Sequence, residues 1–155
     1  MERPDYNSIT AQAVALTEGE TNLIANLSNL SAILDMALAD INWVGFYLFE
    51  ESSKQLVLGP FQGKPACVRI EPGKGVCGTA FATQSIQRIE DVHQFEGHIA
   101  CDAASNSEIV LPLWVNGVCI GVLDIDSPNY NRFTADDEQG LHHFITRVGE
   151  TLSNI

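Results

Sequence analysis

Leu23, Leu27, Leu30, Leu34 and Leu38 recur at three- and four-residue spacing, which lines one face of a helix in the N-terminal third of the chain. Asp40-Ile41-Asn42 interrupts that period, and Trp43–Leu48 follows as a strand of aromatic and β-branched residues. Leu56-Val57-Leu58 reads as a short strand ending at the turn signal Gly59-Pro60. Cys67-Val68-Arg69-Ile70 is another short strand, closed by Pro72-Gly73. A short helix opens near Gly75 and runs to Gln84, and Ile86–Ile89 forms a brief strand. Glu90 to Ser107 is polar, rich in small residues and without period, a stretch long enough to carry function. Ile109–Val115 and Val118–Asp126 flank Asn116-Gly117, a pair that favours the positive φ of a type I′ hairpin turn. Thr134 ahead of Ala135-Asp136-Asp137 predicts an N-cap with an acidic first turn, and Leu141, Phe144 or Ile145, Val148 and Leu152 supply the buried face of the final helix. Helices, then a run of strands, then a helix predict an α+β domain, an antiparallel sheet with helices packed on one side.

Length changes this picture little. The 155 residues fit one domain spanning 1–155, with a core large enough to need no staple. No run of about 18 apolar residues suggests a membrane span, and the N-terminus begins no signal sequence, so a cytoplasmic protein is expected. Charge is more informative. Eight basic against twenty acidic residues give a formal charge of -12, which repels phosphate backbones and anionic membranes and disfavours nucleic-acid and lipid partners.

Four cysteines then raise the question of chemistry. Cys119 sits in the apolar strand Val118-Cys119-Ile120-Gly121-Val122 and reads as an inert core thiol. Cys67, Cys77 and Cys101 instead lie beside turns and glycines, where a thiol is kept for its reactivity. In a reducing compartment any disulfide among them is catalytic or regulatory. No C-x₂-C spacing exists, so no metal is expected; the alternative is a composite zinc site of Cys67, Cys101, His93 and His98. Cys101, in the loop with Gly97, Ala100, Ala103, Ala104 and Ser105, is the best attacker.

Carboxylates supply the second element. Asp124 and Asp126 are two apart on one strand, so both leave the same face, about 7 Å apart. They suit an ammonium-binding pocket or a proton donor. Glu108, on the partner strand, joins them only if the register shifts. A two-residue Asn116-Gly117 turn otherwise pairs Ile109 with Asp124; either a bulge, for which Pro112 is the candidate, restores the parity, or Glu108 lies just outside regular pairing. Trp43, Gly45 and Tyr47 share a face, and the glycine between two aromatics leaves a notch for a small apolar group. His142 and His143 read as structural or exposed residues of the last helix.

Asn42-Trp43-Val44-Gly45-Phe46-Tyr47-Leu48, Leu58-Gly59-Pro60-Phe61-Gln62-Gly63, Gly75-Val76-Cys77-Gly78-Thr79, Gly97-His98-Ile99-Ala100-Cys101-Asp102, Ser105-Asn106-Ser107-Glu108-Ile109-Val110-Leu111-Pro112 and Gly121-Val122-Leu123-Asp124-Ile125-Asp126-Ser127 together resemble the GAF-domain free methionine-(R)-sulfoxide reductases. The resemblance runs from about Asn42 to Leu141. It implies a single GAF domain with a six-stranded antiparallel sheet and N- and C-terminal helices packed on it. It also implies reduction of the free amino acid rather than of protein-bound methionine sulfoxide. By the same resemblance Cys101 is the attacking cysteine, Cys67 its disulfide partner and Cys77 an additional recycling cysteine. Glu108, Asp124 and Asp126 are implied as the substrate-binding and proton-handling acids, and Trp43 and Tyr47 as the wall around the substrate's methyl group.

The implied reaction passes through a Cys101 sulfenic acid and an intramolecular disulfide, recycled by thioredoxin as an external reductant, with no bound cofactor. Arg69 and Arg88 are the candidates to stabilise the thiolate. GAF domains also serve as small-ligand sensors, so a sensor module and a thiol redox sensor are the alternatives. Pairing through the helices makes a homodimer the expectation for assembly.

Overall fold

Six strands pair into one antiparallel sheet in the computed structural model, which describes residues 4–97 and 104–152. In chain order the elements are α1 (Tyr6–Thr17), α2 (Leu23–Ala37), β1 (Trp43–Glu50), β2 (Gln55–Gly63), β3 (Arg69–Ile70), α3 (Gly75–Thr83), β4 (Gln87–Ile89), β5 (Ser107–Val115), β6 (Val118–Ser127) and α4 (Ala135–Leu152). Across the sheet the strands run β3-β2-β1-β6-β5-β4. The centre is thus built from β1 and the β5–β6 hairpin, with short strands at both edges.

Local chemistry accounts for the ends of these elements. Asp5 caps α1 by accepting from the Ser8 amide at 3.1 Å, and Asn22 caps α2 by accepting from the Ala25 amide at 2.9 Å. At α4 the cap is reciprocal: the Thr134 amide donates to Asp137 at 2.9 Å, and the Asp137 amide donates to the Thr134 hydroxyl at 3.1 Å. Asn116 and Gly117 both have positive φ, 53° and 77°, as the type I′ turn requires.

One face of the sheet carries the main core. Val44 and Phe46 of β1, Ile109, Leu111 and Leu113 of β5, and Leu123 and Ile125 of β6 pack under α1, α2 and α4. Leu27, Leu30 and Leu34 of α2 and both alternatives on α4, Phe144 and Ile145, are buried there, with Leu23 partly buried against them. Tyr6 donates to the buried Asp137 at 2.6 Å, and Thr17 meets Thr151 at 2.6 Å, so the first and last helices are clasped together.

The helices are not all on one side, contrary to what the order of elements predicts. α3 covers the opposite face, where Val76, Cys77 and Ala80 pack on Val110 and Val122. Its nine residues carry no strong amphipathic period, so the sequence gives no hint of which face it takes.

Two strand limits also differ from expectation. β2 does not stop at Gly59-Pro60. It continues through them to Gly63, because Phe46 faces both residues in a bulge and β3 pairs only with Leu56 and Val57. A proline is tolerated at such a bulge on an open edge. The strand predicted at Cys67–Ile70 shrinks to Arg69–Ile70, leaving Cys67 in the connection from β2.

A second bulge decides the site. Leu113 pairs with Gly121 but Trp114 pairs with Cys119, so Ile120 is the extra residue. The bulge is therefore on β6 rather than at Pro112. From Leu113 onward toward Ser107 the register is shifted by one, which sets Glu108 opposite Asp126 and Val110 opposite Asp124.

Candidate active site

Beneath α3 the sheet turns a polar face outward. Trp43 pairs with Asp126, Gly45 with Asp124 and Tyr47 with Val122 across β1 and β6. With Glu108 brought into register, the two aromatics and three acids share this face. Glu108 and Asp124 are buried, at 6% and 5% exposure, while Asp126 is half-buried. Cys77, on the first turn of α3, drops onto them, its thiol donating toward the Glu108 carboxylate at 4.0 Å.

A cavity of about 50 Å³ opens over these groups. Cys77, Glu108, Asp124 and Asp126 form its floor, Trp43, Tyr47, Ile70, Val76 and the buried Ser105 its walls, and Pro65, Ala66 and Lys74 its rim. A groove of about 560 Å³ between the β5–β6 turn and α4 is larger, but it contains none of the predicted residues and no buried acid. Chemistry, not size, marks the site.

Burial sets the protonation of the floor. It is the largest influence raising the Glu108 carboxyl well above its ordinary range, with the charges of Asp124 and Asp126 adding to it. Burial also raises Asp124, against hydrogen bonds from Glu108, Cys77 and Asp126 that favour its charged form. The Cys77 thiol is pushed far up, by burial first and then by Asp124 and Glu108. Tyr47 is raised by burial and the same acids and stays a hydroxyl. The arrangement thus offers a neutral carboxyl that can donate a proton, beside acids that can hold a cation. One oxygen of Asp124, Oδ1, is buried without a hydrogen-bond partner.

The aromatics do two jobs at once. Trp43 donates its indole N–H to the Lys64 carbonyl at 3.1 Å, and Tyr47 donates its hydroxyl to the Cys67 carbonyl at 2.8 Å. Their apolar bodies line the cavity while their polar ends tie down the segment carrying Cys67. Cys67 is half-buried and disulfide-bonded, whereas Cys77 and Cys119 are free. The notch predicted at Gly45 is filled: Phe61 of β2 packs directly over it, and its ring stacks on Trp43 at 5.1 Å. A Cβ at position 45 would collide with Phe61, so the glycine serves strand pairing rather than a ligand.

Other expectations fall elsewhere. Cys101 and His98 lie outside the described residues. His93 is exposed and bonded to Asn106 at 2.9 Å, away from the cavity lining, and His142 and His143 are exposed on α4. Cys119 is buried as predicted. Neither arginine proposed near the thiol lines the cavity: Arg69 pairs with Glu50 and Arg88 with Glu138. Lys74 does line it, at the start of an α3 whose N-terminus has no side-chain cap. No sequence pattern marks it, because it reaches the site only through the placement of α3.

A family model described as "GAF domain" matches residues 28–153. The chain is 59% identical over 148 residues to the free methionine-R-sulfoxide reductase of Escherichia coli strain K12, covering 96% of this chain and 88% of that protein. It is 47% identical over 142 residues to the protein of the same name from Saccharomyces cerevisiae, covering 88% and 79%. The chain belongs to the GAF-domain free methionine-(R)-sulfoxide reductase family. The family's fold is the one described above: the fRMsr of Staphylococcus aureus in complex with substrate superposes with a TM-score of 0.91 at 49% identity, covering 98% of each chain.

Proposed function

We propose that this member of the family reduces free methionine-(R)-sulfoxide to methionine, the whole chain 1–155 acting as one domain, with the buried acids as the feature that carries the reading. Cys101 attacks the sulfoxide sulfur as a thiolate. Glu108, kept protonated by burial and by its acidic neighbours, donates to the sulfoxide oxygen, and Asp126 opposite it shares that proton traffic. The protonated oxygen passes from methionine's sulfur to the Cys101 sulfur, so that the S–O bond to methionine breaks, methionine departs with its sulfur reduced by two electrons, and Cys101 is left as a sulfenic acid. The Cys67 thiol then attacks that sulfur, water leaves, and a Cys67–Cys101 disulfide forms. A thioredoxin-type dithiol of the cytoplasm exchanges the disulfide back to thiols. In support, Cys67 is disulfide-bonded while Cys77 and Cys119 are free.

Selection of the free amino acid follows from the polar floor and rim. The unpartnered Oδ1 of Asp124 suits an ammonium, and Lys74 with the uncapped amides of α3 suits a carboxylate. A methionine sulfoxide within a chain has neither charge. The cavity holds about three or four water-sized groups, enough for a methylsulfinyl head against Trp43 and Tyr47. Cys77, sunk in the acidic floor as a neutral thiol, fits a hydrogen-bonding role better than that of the first resolving cysteine.

The test is turnover of the reduced protein with a thioredoxin system on free methionine-(R)-sulfoxide, its S epimer and a sulfoxide-containing peptide. Turnover confined to the free R epimer is the expected result. Equal turnover of the peptide, or none on any substrate with thiols verified as reduced, would overturn the proposal.

A further inference from the structure

We propose that Cys77, Glu108 and Asp124 form a binding site for a thiophilic divalent cation, Zn²⁺ being the best match, and that the metal there closes the site to substrate. Among the described residues the Cys77 sulfur and one carboxylate oxygen each from Glu108 and Asp124 lie within 4.8 Å of one another, all three residues being buried. The Cys77–Glu108 separation is 4.0 Å. Triangles with sides of 4.0 to 4.8 Å have their corners roughly 2.3–2.8 Å from the centre, at or slightly beyond typical zinc distances of about 2.3 Å to sulfur and about 2.0–2.2 Å to carboxylate oxygen. A small inward movement of these side chains brings all three donors onto a zinc-sized ion.

Two further observations point to a cation there. Asp124 is 95% buried by its 5% exposure, and its Oδ1 has no hydrogen-bond partner. A carboxylate oxygen left unsatisfied in a buried place is stabilised by a positive charge. The cavity is lined by all three groups, and its volume of about 50 Å³ leaves room for a water to complete four-coordination. The sulfur donor decides the class: Mg²⁺ and Ca²⁺ require all-oxygen shells of six or more, whereas a thiolate with two carboxylates suits Zn²⁺ or Co²⁺. Binding forms a metal–sulfur bond and releases the Cys77 proton to solvent. The blocking half of the proposal rests on the function proposed above, since it assigns the ammonium to Asp124; metal binding itself does not.

The experiment is a Co²⁺ titration of the disulfide form, in which, under the pairing proposed above, only Cys77 and Cys119 are free thiols. One equivalent with a thiolate-to-cobalt charge-transfer band is expected, displaced by Zn²⁺. Cys77→Ser abolishes the band, and Asp124→Asn weakens binding roughly tenfold or more with the fold verified by circular dichroism. Zinc protection of Cys77 against alkylation, read by peptide mass, gives the same answer without a variant. Absence of the band, its survival in Cys77→Ser, or unchanged alkylation overturns the site. Free methionine added in increasing amounts should raise the apparent metal dissociation constant in proportion. An unchanged constant overturns the competition while leaving the site, and neither result depends on turnover.

Discussion

Glu108 holds function and stability against each other. Its carboxyl is raised in the folded protein by burial and by two nearby acids, so the native state binds a proton that the unfolded chain releases at neutral pH. The sign is then fixed. Stability contributed at this position is greatest below the ordinary glutamate range and declines as pH rises from there toward the raised folded value. Glu108→Gln should raise the neutral-pH melting temperature, by roughly 2–4 °C for each kcal/mol regained, and should flatten this part of the stability–pH profile. The same change should cut kcat about 10²–10⁴-fold, because the proton donor is gone. Calorimetry from pH 4 to 8 beside steady-state kinetics checks both, and a destabilised variant would contradict the assignment. In the proposed function Lys74 serves binding rather than proton transfer. Lys74→Met should raise KM for the free amino acid several-fold and shift kcat less, a split that a lysine acting on the attacking thiol would reverse.

At the scale of elements, the bulge at Ile120 is the decisive local feature. It shifts β5 by one residue against β6 and so carries Glu108 from the helix-covered face to the cavity face. Deleting Ile120 restores simple hairpin parity and drives Glu108 into the apolar core under α2 and α4. The deletion should abolish cooperative thermal unfolding, since a one-residue slip exchanges every side chain between faces and buries an uncompensated carboxyl. A deletion variant that melts cooperatively and retains activity would show that the register is set elsewhere. Gly45 is the matching constraint on β1. Gly45→Ala pushes Phe61 and the Pro60 carbonyl away and should cost about 1–3 kcal/mol, read as a fall in the denaturant midpoint with an unchanged m-value.

Across the whole molecule the sheet separates two duties. Its helix-covered face stores stability, and its α3 face stores charge. The clasp between α1 and α4 belongs to the first. Tyr6 lies over Gly140 and donates to Asp137, which also caps α4 and pairs with the half-buried Arg132 at 3.1 Å. Tyr6→Phe should destabilise by about 1–2 kcal/mol, with KM for the substrate unchanged because the clasp is on the far side of the sheet. A matching loss of substrate affinity would instead mean that the two faces communicate.

Much of this was written along the chain. The leucine period of α2, the Asn116-Gly117 turn, the Thr134 cap and the alternation of β6 are local signals, each decided by residues within one turn or one hairpin. They made the α+β order and the shared face of Asp124 and Asp126 legible. The sequence also carried Trp43 and Tyr47 as a pair, and the family resemblance is the source of the roles proposed for Cys67, Cys77 and Cys101. Tertiary structure decided the rest. It put the bulge on β6 rather than at Pro112, filled the Gly45 notch with Phe61, ran β2 through Gly59-Pro60 and set α3 on the outer face with Lys74 at the rim. It also spent the polar ends of Trp43 and Tyr47 on the segment carrying Cys67. Each of these depends on which strand or helix lies alongside, a contact between residues far apart in the chain. Side-chain period and turn chemistry act over a few neighbours and do not encode such contacts.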